Sequence, residues 1–284
     1  FMLFHIGGKS VLITNPRDLK TFVSLMKKHK FHMISGVNTL YEALLNYDGF
    51  KELDFSNLLM SLSGGMAALD TTAKRWHETT KSVIWQAYGL TETSPLVSVN
   101  DYKQTEFTGS VGLPAAFTEI EIRDEDNNVL TETNEVGELC VRGPQVMSGY
   151  WNSDVSGLDE NNWFMTGDIA RIDETGNIFI VDRKKDMIIV SGFNVFPNEV
   201  EAVVNEHPAV LECGCVGIEG EGSQELVKVF IVLHEGQTLL EEEIISFCRE
   251  KLTAYKVPKH IEFIKEIPKT NVGKVLRREL KTNQ

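Results

Sequence analysis

The chain has 284 residues, 42% of them hydrophobic and 24% charged, which is typical of a globular protein. A formal net charge of −13 argues against nucleic acid or anionic lipid as a general partner. The longest apolar runs have about five residues, too few to cross a membrane, and the first residues do not resemble a signal peptide. The four scattered cysteines indicate reduced thiols in the cytoplasm rather than disulfides.

Residues 9–88 alternate between strand-like and helix-like patterns. The β-branched run 10–14 predicts a buried strand, and the next helix is expected to be capped by Asn15 and to begin with Pro16. The apolar stripe of that helix is formed by Leu19, Phe22, Val23 and Met26. Further strands are predicted at 31–37, 58–65 and 82–88, with a helix through Tyr41, Leu44 and Leu45. Alternating strands and helices indicate a parallel sheet covered on both faces.

Two sections of different character follow. Short strands between turns over about 105–180 predict a mainly β section. The charged run DRKKD at 182–186 is the expected linker to a final unit of about 100 residues that mixes strands and helices. The sequence therefore predicts an α/β fold, α+β overall. A partial large domain, 1–182, combines a parallel α/β sheet with the β section, and 183–284 forms a small α+β C-terminal domain.

Two loops follow predicted parallel strands, which is where α/β sheets bind ligands. Gly64 and Gly65 would let backbone N–H groups approach a ligand, although a tight turn is the simpler interpretation. In the loop 88–93, Glu92 has a threonine on each side, a set of hard oxygens that suits Mg²⁺ bound to phosphates. Tyr88 offers an aromatic face for a purine. A solvated loop with helix-cap chemistry is the competing interpretation of this stretch.

Two later residues could also serve a nucleotide. Asp168 follows a glycine and precedes an apolar strand, where a carboxylate can accept the hydroxyls of a ribose, although an aspartate in a plain turn is as common. Lys274 follows a glycine at a predicted helix start, which favours anions, although a lone surface lysine is commoner. The segment from 256 onwards holds eight basic and three acidic residues. This tail is therefore the predicted basic patch for phosphates.

These signals gain weight from their order along the chain. The relevant sequences are YGLTETSP (88–95), TGD (166–168), VDRKKDMIIVSGFNVFPNEVE (181–201) and PKTNVGKVLRREL (268–280). In this order and spacing the chain resembles the acyl-adenylate-forming superfamily, and within it the bacterial long-chain fatty acid–CoA ligases. The stretches ITNPRD, GVNTL, LDFSNL and PQVMSGYW agree with that subfamily as well. The resemblance covers essentially the whole chain.

The resemblance implies a two-step reaction. Such enzymes join a carboxylate to ATP, giving acyl-AMP and pyrophosphate, and then pass the acyl group to the thiol of coenzyme A. It implies Mg²⁺ as cofactor and a long-chain fatty acid, ATP and CoA as substrates. The expected role is fatty acid activation for β-oxidation or lipid synthesis, in the cytoplasm, with peripheral association at the inner face of the membrane left open. The oligomeric state is not predicted.

The resemblance also implies roles for individual residues. The nucleotide site would comprise Gly64, Gly65, Tyr88, Gly89, Thr91, Asp168 and Arg183. Thr91 would contact phosphate and Glu92 would hold Mg²⁺, while Lys274 would bridge the acyl carboxylate and the α-phosphate. Between the two steps the small domain would rotate about Lys185, and Gly192 and Phe193 would then line a tunnel for CoA.

The chain also departs from the pattern of these enzymes. Their Ser/Thr/Gly-rich loop ending in Pro-Lys-Gly, which cradles the triphosphate, does not occur in the sequence, and such enzymes are about twice as long. We therefore expect a C-terminal fragment with little or no turnover by itself. Two alternatives remain: another adenylate-forming enzyme (a medium-chain or aryl-CoA ligase, or an acyl-AMP ligase) and a non-catalytic nucleotide-binding module.

Overall fold

A computed structural model of the chain describes residues 5–153, 156–220, 225–270 and 275–282. The chain divides into two compact units. The first comprises the residues up to Tyr88 together with Val99–Gly109, and the second comprises Gly89–Ser98 and the chain from Ser110 onwards. The division predicted between residues 182 and 183 stays a prediction.

The first unit contains the predicted parallel sheet. Its helices are α1 (Leu19–Lys28), α2 (Asn38–Leu45) and α3 (Asp70–Thr80), with a short 3-10 helix at Phe50–Glu52. Its strands are β1 (Met33–Gly36), β2 (Met60–Gly64) and β3 (Ile84–Gly89), whose last residue passes into the second unit. Strand β2 pairs in parallel with β1 on one side and with β3 on the other. The expected alternation of strands and helices is therefore confirmed for residues 31–88.

Two aromatic side chains fix the helices of this unit onto the sheet. Trp76 of α3 and Tyr41 of α2 are fully buried, and their rings meet nearly edge to face with centroids 4.6 Å apart. The Trp76 indole N–H donates to Ser61 Oγ at 2.9 Å, and the Tyr41 hydroxyl donates to the carbonyl of Leu62 at 2.8 Å. Both acceptors belong to β2, so each aromatic ring supplies apolar burial and satisfies its own polar atom.

The prediction for residues 10–14 is wrong. These residues form no strand, and Leu12 is 84% exposed. A strand requires a neighbour that satisfies its backbone groups, and no described strand pairs with this run. The predicted cap is wrong too, because α1 begins at Leu19 with Asp18 as its N-cap, accepting from Thr21 N at 3.1 Å. The predicted stripe is confirmed, with Phe22, Val23 and Met26 buried and Leu19 packed against the same core.

The second unit begins with short strands β4 (Leu96–Val99) and β5 (Leu113–Pro114), β4 ending one residue beyond it. The predicted β section then forms an antiparallel sheet in the order β10-β9-β8-β6-β7. Its strands are β6 (Glu119–Arg123), β7 (Val129–Leu130), β8 (Gly137–Arg142), β9 (Phe164–Ile172) and β10 (Ile178–Arg183). The expected change from a parallel α/β sheet to a mainly β section is confirmed.

The remaining residues of this unit mix helices and strands as predicted. A 3-10 helix (Lys184–Asp186) precedes β11 (Ile188–Val190), β12 (Phe193–Val195), α4 (Pro197–Val204), β13 (Val210–Glu219), β14 (Glu225–Leu233), α5 (Glu241–Arg249), β15 (His260–Phe263) and α6 (Arg277–Thr282). Strand β14 pairs antiparallel with β13 and parallel with β15. The run DRKKD is not a free linker, because its first two residues belong to β10 and the others form the 3-10 helix.

The four cysteines are free and buried, in agreement with the expected reduced thiols. Burial raises the pKa of Cys140 to about 12 and that of Cys248 to about 11, so these thiols stay neutral near pH 7. No helix in the described part of the chain has the length and hydrophobicity needed to cross a bilayer.

The contacts of Trp76 lead to a test of the first unit's core. Replacing Trp76 with alanine removes the ring between α2 and α3 and is expected to lower the free energy of unfolding by about 3–5 kcal/mol. Leu12→Ala, at an exposed position of the same unit, should stay within about 0.5 kcal/mol of the unmodified chain. Urea unfolding followed by circular dichroism measures both changes. Equal midpoints for the two variants would contradict the assigned core.

Candidate functional site

In the first unit, the ends of two parallel strands carry three of the predicted nucleotide residues. Gly64 ends β2 and pairs with Ala87 of β3, so Gly64, Gly65 and Tyr88 lie at neighbouring carboxyl ends. Gly65 has a φ of +82°, which favours glycine. The sheet therefore brings these residues to one edge, where α/β proteins bind ligands.

The loop that follows Gly65 is held from two directions. The backbone N–H of Ala68 donates to Gln86 Oε1 of β3, and that of Leu69 donates to Asn38 Oδ1 of α2, each at 2.9 Å. Within the described residues, the buried hydroxyl of Ser63 has no hydrogen-bond partner. A fixed loop beside an unpaired buried hydroxyl is the arrangement expected where a polar ligand completes the hydrogen bonding.

In the second unit, the loop containing Glu92 forms a 3-10 helix, Thr91–Thr93. The hydroxyl of Thr93 lies inside this turn, accepting from Leu90 N at 3.0 Å and donating to the carbonyl of Pro95 at 2.8 Å. Gly89 passes so close to Pro95 that an added Cβ would lie 1.7 Å from the same carbonyl oxygen. The shape of the turn therefore depends on Gly89 and Thr93.

The expectation that the hydroxyls of both Thr91 and Thr93 join Glu92 in binding a ligand is wrong. Thr93 is fully buried and its hydroxyl is occupied by the backbone of the turn, whereas Thr91 is exposed. A Ser/Thr side chain in such a tight turn gains more from local backbone bonds than from facing solvent. Of the three residues, Thr91 and Glu92 remain available to a ligand.

The side chain of Glu92 is oriented by a segment 58 residues further along the chain. The hydroxyl of Tyr150 donates to Glu92 Oε1 at 2.9 Å, and the N–H of Met147 donates to the carbonyl of Glu92 at 2.8 Å. This contact raises the pKa of the Tyr150 hydroxyl. Tyr150 was not among the predicted site residues, and its only sequence signal is its position within PQVMSGYW.

The residues around Glu92 fit a metal ion that is held mainly by a ligand. No cluster of three or more His, Cys, Asp or Glu side chains suited to a metal occurs in the described residues. A single partly exposed carboxylate beside an exposed hydroxyl matches Mg²⁺, which typically takes one or two carboxylates and completes its shell with phosphates and water. A metal bound entirely by protein side chains does not fit this donor set.

Asp168 and Arg183 form the second part of the site. Their positions are opposite each other in the pairing of β9 with β10, and Arg183 Nε lies 3.0 Å from Asp168 Oδ1. The Asp168 side chain is 6% exposed and that of Arg183 is 38% exposed. Arg183 also lines an open cleft of about 340 Å³ whose other lining residues are Thr166, Gly167, Lys184 and Lys185. A buried carboxylate fixed beside a guanidinium at the edge of a cleft can bind vicinal hydroxyls.

A second ion pair fixes the residues next to this cleft. The buried carboxylate of Glu138, on β8, accepts from Gly167 N at 3.0 Å and from Lys184 Nζ at 2.7 Å. The contact with Glu138 raises the pKa of Lys184. Lys184 is therefore attached to the β section immediately before Lys185, the predicted hinge.

Gly192 and Phe193, the predicted CoA-tunnel residues, lie at the turn between β11 and β12. Gly192 has a φ of +83° and is exposed, and Phe193 is 55% exposed. The ring of Phe193 stacks on that of Tyr255, with centroids 4.7 Å apart and an angle of 20° between the planes. Tyr255 was missed by the sequence analysis because nothing in its local sequence points to a residue 62 positions earlier. The pair presents an aromatic surface to solvent.

Lys274 lies outside the described residues. On either side of it, Lys269 pairs with Val275 in an isolated antiparallel bridge, and Leu276 N donates to the carbonyl of Pro268 at 2.8 Å. The described residues on both sides of Lys274 are therefore hydrogen-bonded to each other.

The expectation of a basic patch in the tail is wrong for three of its members. Lys256 pairs with Glu199, Lys269 with Glu212, and Arg277 with Glu201. Each acid belongs to an earlier element of the C-terminal part, which a count of charges along the tail does not include. Three of the tail's eight basic side chains are thus paired with acids of the fold.

Glycine-rich ends of parallel strands and a buried aspartate–arginine pair are typical of a nucleotide-binding enzyme. The sequence profile of the AMP-binding enzyme family matches residues 1–151, and the profile of the AMP-binding enzyme C-terminal domain matches residues 199–274. The chain belongs to the AMP-binding enzyme family, and its resemblance to the acyl-adenylate-forming superfamily is confirmed.

Within this family, two relatives with high sequence identity carry the same name. The chain is 50% identical to a long-chain-fatty-acid–CoA ligase of Escherichia coli O157:H7, over 99% of the chain and 50% of the relative. It is 49% identical to the ligase of the same name from Yersinia pestis, over 100% of the chain and 50% of the relative. The chain spans about half the length of the curated relatives it matches.

A solved structure shares the fold. The crystal structure of an anthranilate CoA ligase in complex with anthranoyl-AMP matches with a TM-score of 0.86 and 30% identity, over 98% of the chain and 55% of that protein. The predicted fold class, a mixed α/β structure with a small C-terminal domain as in adenylate-forming enzymes, is confirmed.

The close approach at Gly89 can be tested by substitution. In Gly89→Ala the new methyl group collides with the Pro95 carbonyl, and the free energy of unfolding is expected to fall by about 1–3 kcal/mol. Gly64→Ala is the matched control, because its Cβ would make only an ordinary 3.5 Å contact with Ala87 and the change should be within about 0.5 kcal/mol. Urea unfolding measures both. A Gly89→Ala variant as stable as the control would contradict the described turn.

Proposed function

We propose that this chain is the C-terminal part of an ATP-dependent long-chain fatty acid–CoA ligase that works through an acyl-AMP intermediate. The observation that carries the proposal is the 50% identity with a long-chain-fatty-acid–CoA ligase along nearly the whole chain. Contact between Asp168 and Arg183, and the seating of Gly64 and Gly65 at a strand end, add support from geometry.

In this proposal the nucleotide contacts are those that the resemblance to adenylate-forming enzymes implies. Asp168 accepts the ribose hydroxyls, and Arg183, held at 3.0 Å from its carboxylate, keeps that group oriented. Tyr88 stacks on the adenine, while Gly64, Gly65 and Gly89 let the backbone come close to the nucleotide.

Thr91 and Glu92 are assigned to the phosphates. Thr91 offers an exposed hydroxyl, and Glu92 offers a carboxylate that Tyr150 already orients through its hydroxyl. Bound Mg²⁺ would be held by Glu92 and would neutralise phosphate charge. Both residues lie on a turn that Thr93 keeps rigid, so little reorganisation is needed when the ligand arrives.

Lys274 is assigned to the first step, adenylation, and the hinge at Lys185 to the second step, thioester formation. The amine of Lys274 stabilises the negative charge that redistributes between the acyl carboxylate and the α-phosphate as acyl-AMP forms. For thioester formation the small domain turns about Lys185, so that Gly192 and Phe193 line the path of the CoA thiol. The exposed ring of Phe193, stacked on the half-buried ring of Tyr255, offers a surface for the pantetheine arm. Because the proposed fatty acid substrate is amphiphilic, we expect the enzyme to act in the cytoplasm, at the inner face of the membrane.

A second candidate is a ligase for an aromatic acid. The similarity in fold to an anthranilate CoA ligase, at a TM-score of 0.86, favours it. The identity of 30% in that comparison is well below the 50% shared with the fatty acid ligase, so the fatty acid remains the preferred substrate.

Joining the chain to the N-terminal half of the Escherichia coli O157:H7 relative gives an enzyme in which the function can be measured. With oleate, ATP and CoA we expect oleoyl-CoA, AMP and pyrophosphate, and little or no product from the 284-residue chain alone. Benzoate and anthranilate serve as competing acids. Turnover restricted to the aromatic acids would favour the second candidate, and nucleotide binding without turnover of any acid would favour a non-catalytic module.

Lys274→Ala in the same chimera separates the two steps. Loss of one preorganised donor is expected to slow pyrophosphate release about 100- to 1,000-fold, while oleoyl-CoA formation from preformed oleoyl-AMP is largely spared. Lys281→Ala removes an exposed lysine of the same tail and should change neither step. If Lys274→Ala slows both steps equally, the assigned role is wrong.

Lys185→Pro tests the hinge. Proline fixes φ, so adenylation should continue while transfer from preformed oleoyl-AMP to CoA is lost. Lys185→Ala removes the same charge without restricting the torsion and should retain both steps. The two rates are measured separately, by pyrophosphate release and by thioester formation. Equal rates of transfer in the two variants would place the pivot elsewhere.

A further inference from the structure

Lys185 lies between two residues that are anchored to different parts of the second unit. Lys184 is paired with Glu138 of the β section, at 2.7 Å. Asp186 is paired with Arg277 of α6, at 3.4 Å. We call elements β11 to α6 the C-terminal lobe. The ion pairs thus attach the chain before Lys185 to the β section and the chain after it to the C-terminal lobe.

The side chain of Asp182, which precedes Lys185 in the chain, makes contacts with the C-terminal lobe. Asp182, near the end of β10, has a fully buried carboxylate. Its Oδ2 accepts from the backbone N–H of Asn198 at 2.7 Å, in the first turn of α4, and its Oδ1 lies 3.4 Å from Arg277 Nη1. Beside it, Asn198 Nδ2 donates to the carbonyl of Val181 at 3.1 Å.

The contact with Asn198 supplies what α4 lacks in its own sequence. Phe196, the N-cap residue of α4, provides no side-chain hydrogen bond, and Pro197 follows it as the first helical residue. The first N–H groups of a helix need acceptors, and a carboxylate there is also favoured by the helix dipole. Asp182 provides that acceptor from a strand of the β section.

Among the described residues, the other partners of Arg277 lie after Lys185. Its guanidinium bonds to Glu201 at 2.9 Å, to Asn198 Oδ1 at 2.6 Å and to Asp186. These contacts would persist if the C-terminal lobe turned as a body about Lys185. The bonds of Asp182 and Val181 to Asn198, and of Asp182 to Arg277, would be broken.

We propose that Asp182 is a positioning residue whose carboxylate holds the C-terminal lobe in the orientation seen here and must release Asn198 and Arg277 before the lobe turns about Lys185. The link to catalysis rests on the proposed function, in which that turn separates adenylation from thioester formation. Burial raises the pKa of the Asp182 carboxyl and the charge of Arg277 opposes this shift, which shows how strongly the buried group depends on its partners.

Trypsin can test the proposal on the 284-residue chain itself, because Arg183, Lys184 and Lys185 are three consecutive cleavage sites next to the contact. In Asp182→Ala the lobe loses a charge-assisted bond, and native-state cleavage at 183–185 should rise about tenfold. Asp182→Asn keeps an acceptor for Asn198, so its cleavage rate should lie between those of the unmodified chain and Asp182→Ala. Mass spectrometry of the first fragments identifies the site of cleavage.

Two controls separate release of the lobe from other causes. Glu206→Ala removes an exposed ion pair with Lys251 in the same lobe and should leave cleavage at 183–185 unchanged. A synthetic peptide 178–190, with and without the alanine, gives the direct effect of the substitution on trypsin, by which the rates are corrected. Faster cleavage throughout the chain, or an unchanged corrected rate in a folded Asp182→Ala variant, would overturn the proposal.

The chimera adds a second measurement, the ratio of the two reaction rates, which should not change if Asp182 had only a structural role. In Asp182→Ala the ratio of the adenylation rate to the thioester-forming rate should change about fivefold or more, since one orientation is no longer favoured. Glu206→Ala should leave the ratio unchanged, and an unchanged ratio in Asp182→Ala would remove the link to catalysis. The trypsin result does not depend on turnover. A chimera without activity would therefore count against the proposed function, while the role of Asp182 would still be decided by proteolysis.

Discussion

The pairing of β9 with β10 is the constraint on which the site of the second unit depends. The register shifts by one residue between Ile180 and Asp182, and β10 then continues with Arg183 opposite Asp168. Shifts of this kind re-aim side chains and occur often beside active sites. In consequence the carboxylate of Asp182 is buried against α4 and α6, while the next residue, Arg183, pairs with Asp168 and lines the cleft. Neighbouring residues of one strand thus contact the C-terminal lobe and the proposed ribose site.

In the C-terminal part, several charged side chains pair with one another inside the fold. Arg277 is largely buried among Glu201, Asp182 and Asp186, and although burial opposes its charge, these carboxylates raise its pKa. Such a network is costly to leave half satisfied, because an unpaired buried charge is far more unfavourable than a paired one. The contact between Asp182 and Arg277 is part of this network.

The sequence predicted the site unevenly. Gly64, Gly65 and Tyr88 were predictable because strand periodicity and the rule for parallel sheets place their loops at one edge. Asp168 could be proposed as a carboxylate, but its pairing with Arg183 depends on strand register. Tyr150 and Tyr255 were missed altogether, since their partners lie 58 and 62 residues away and no local pattern joins them. Thr93 was misjudged because the turn consumes its hydroxyl.

The sequence by itself determined the alternation of strands and helices over 31–88, the α1 stripe, the change to a mainly β section and the family, because these follow from local periodicity and from motifs read in order. Only the tertiary structure decided which backbone groups find hydrogen-bond partners and which charged side chains are paired. Residues 10–14 have strand-like side chains, yet without a pairing partner they form no strand. The cations of the tail look free along the chain, yet Lys256 and Arg277 meet carboxylates. Backbone and charge pairing are long-range, and a one-dimensional pattern does not contain them.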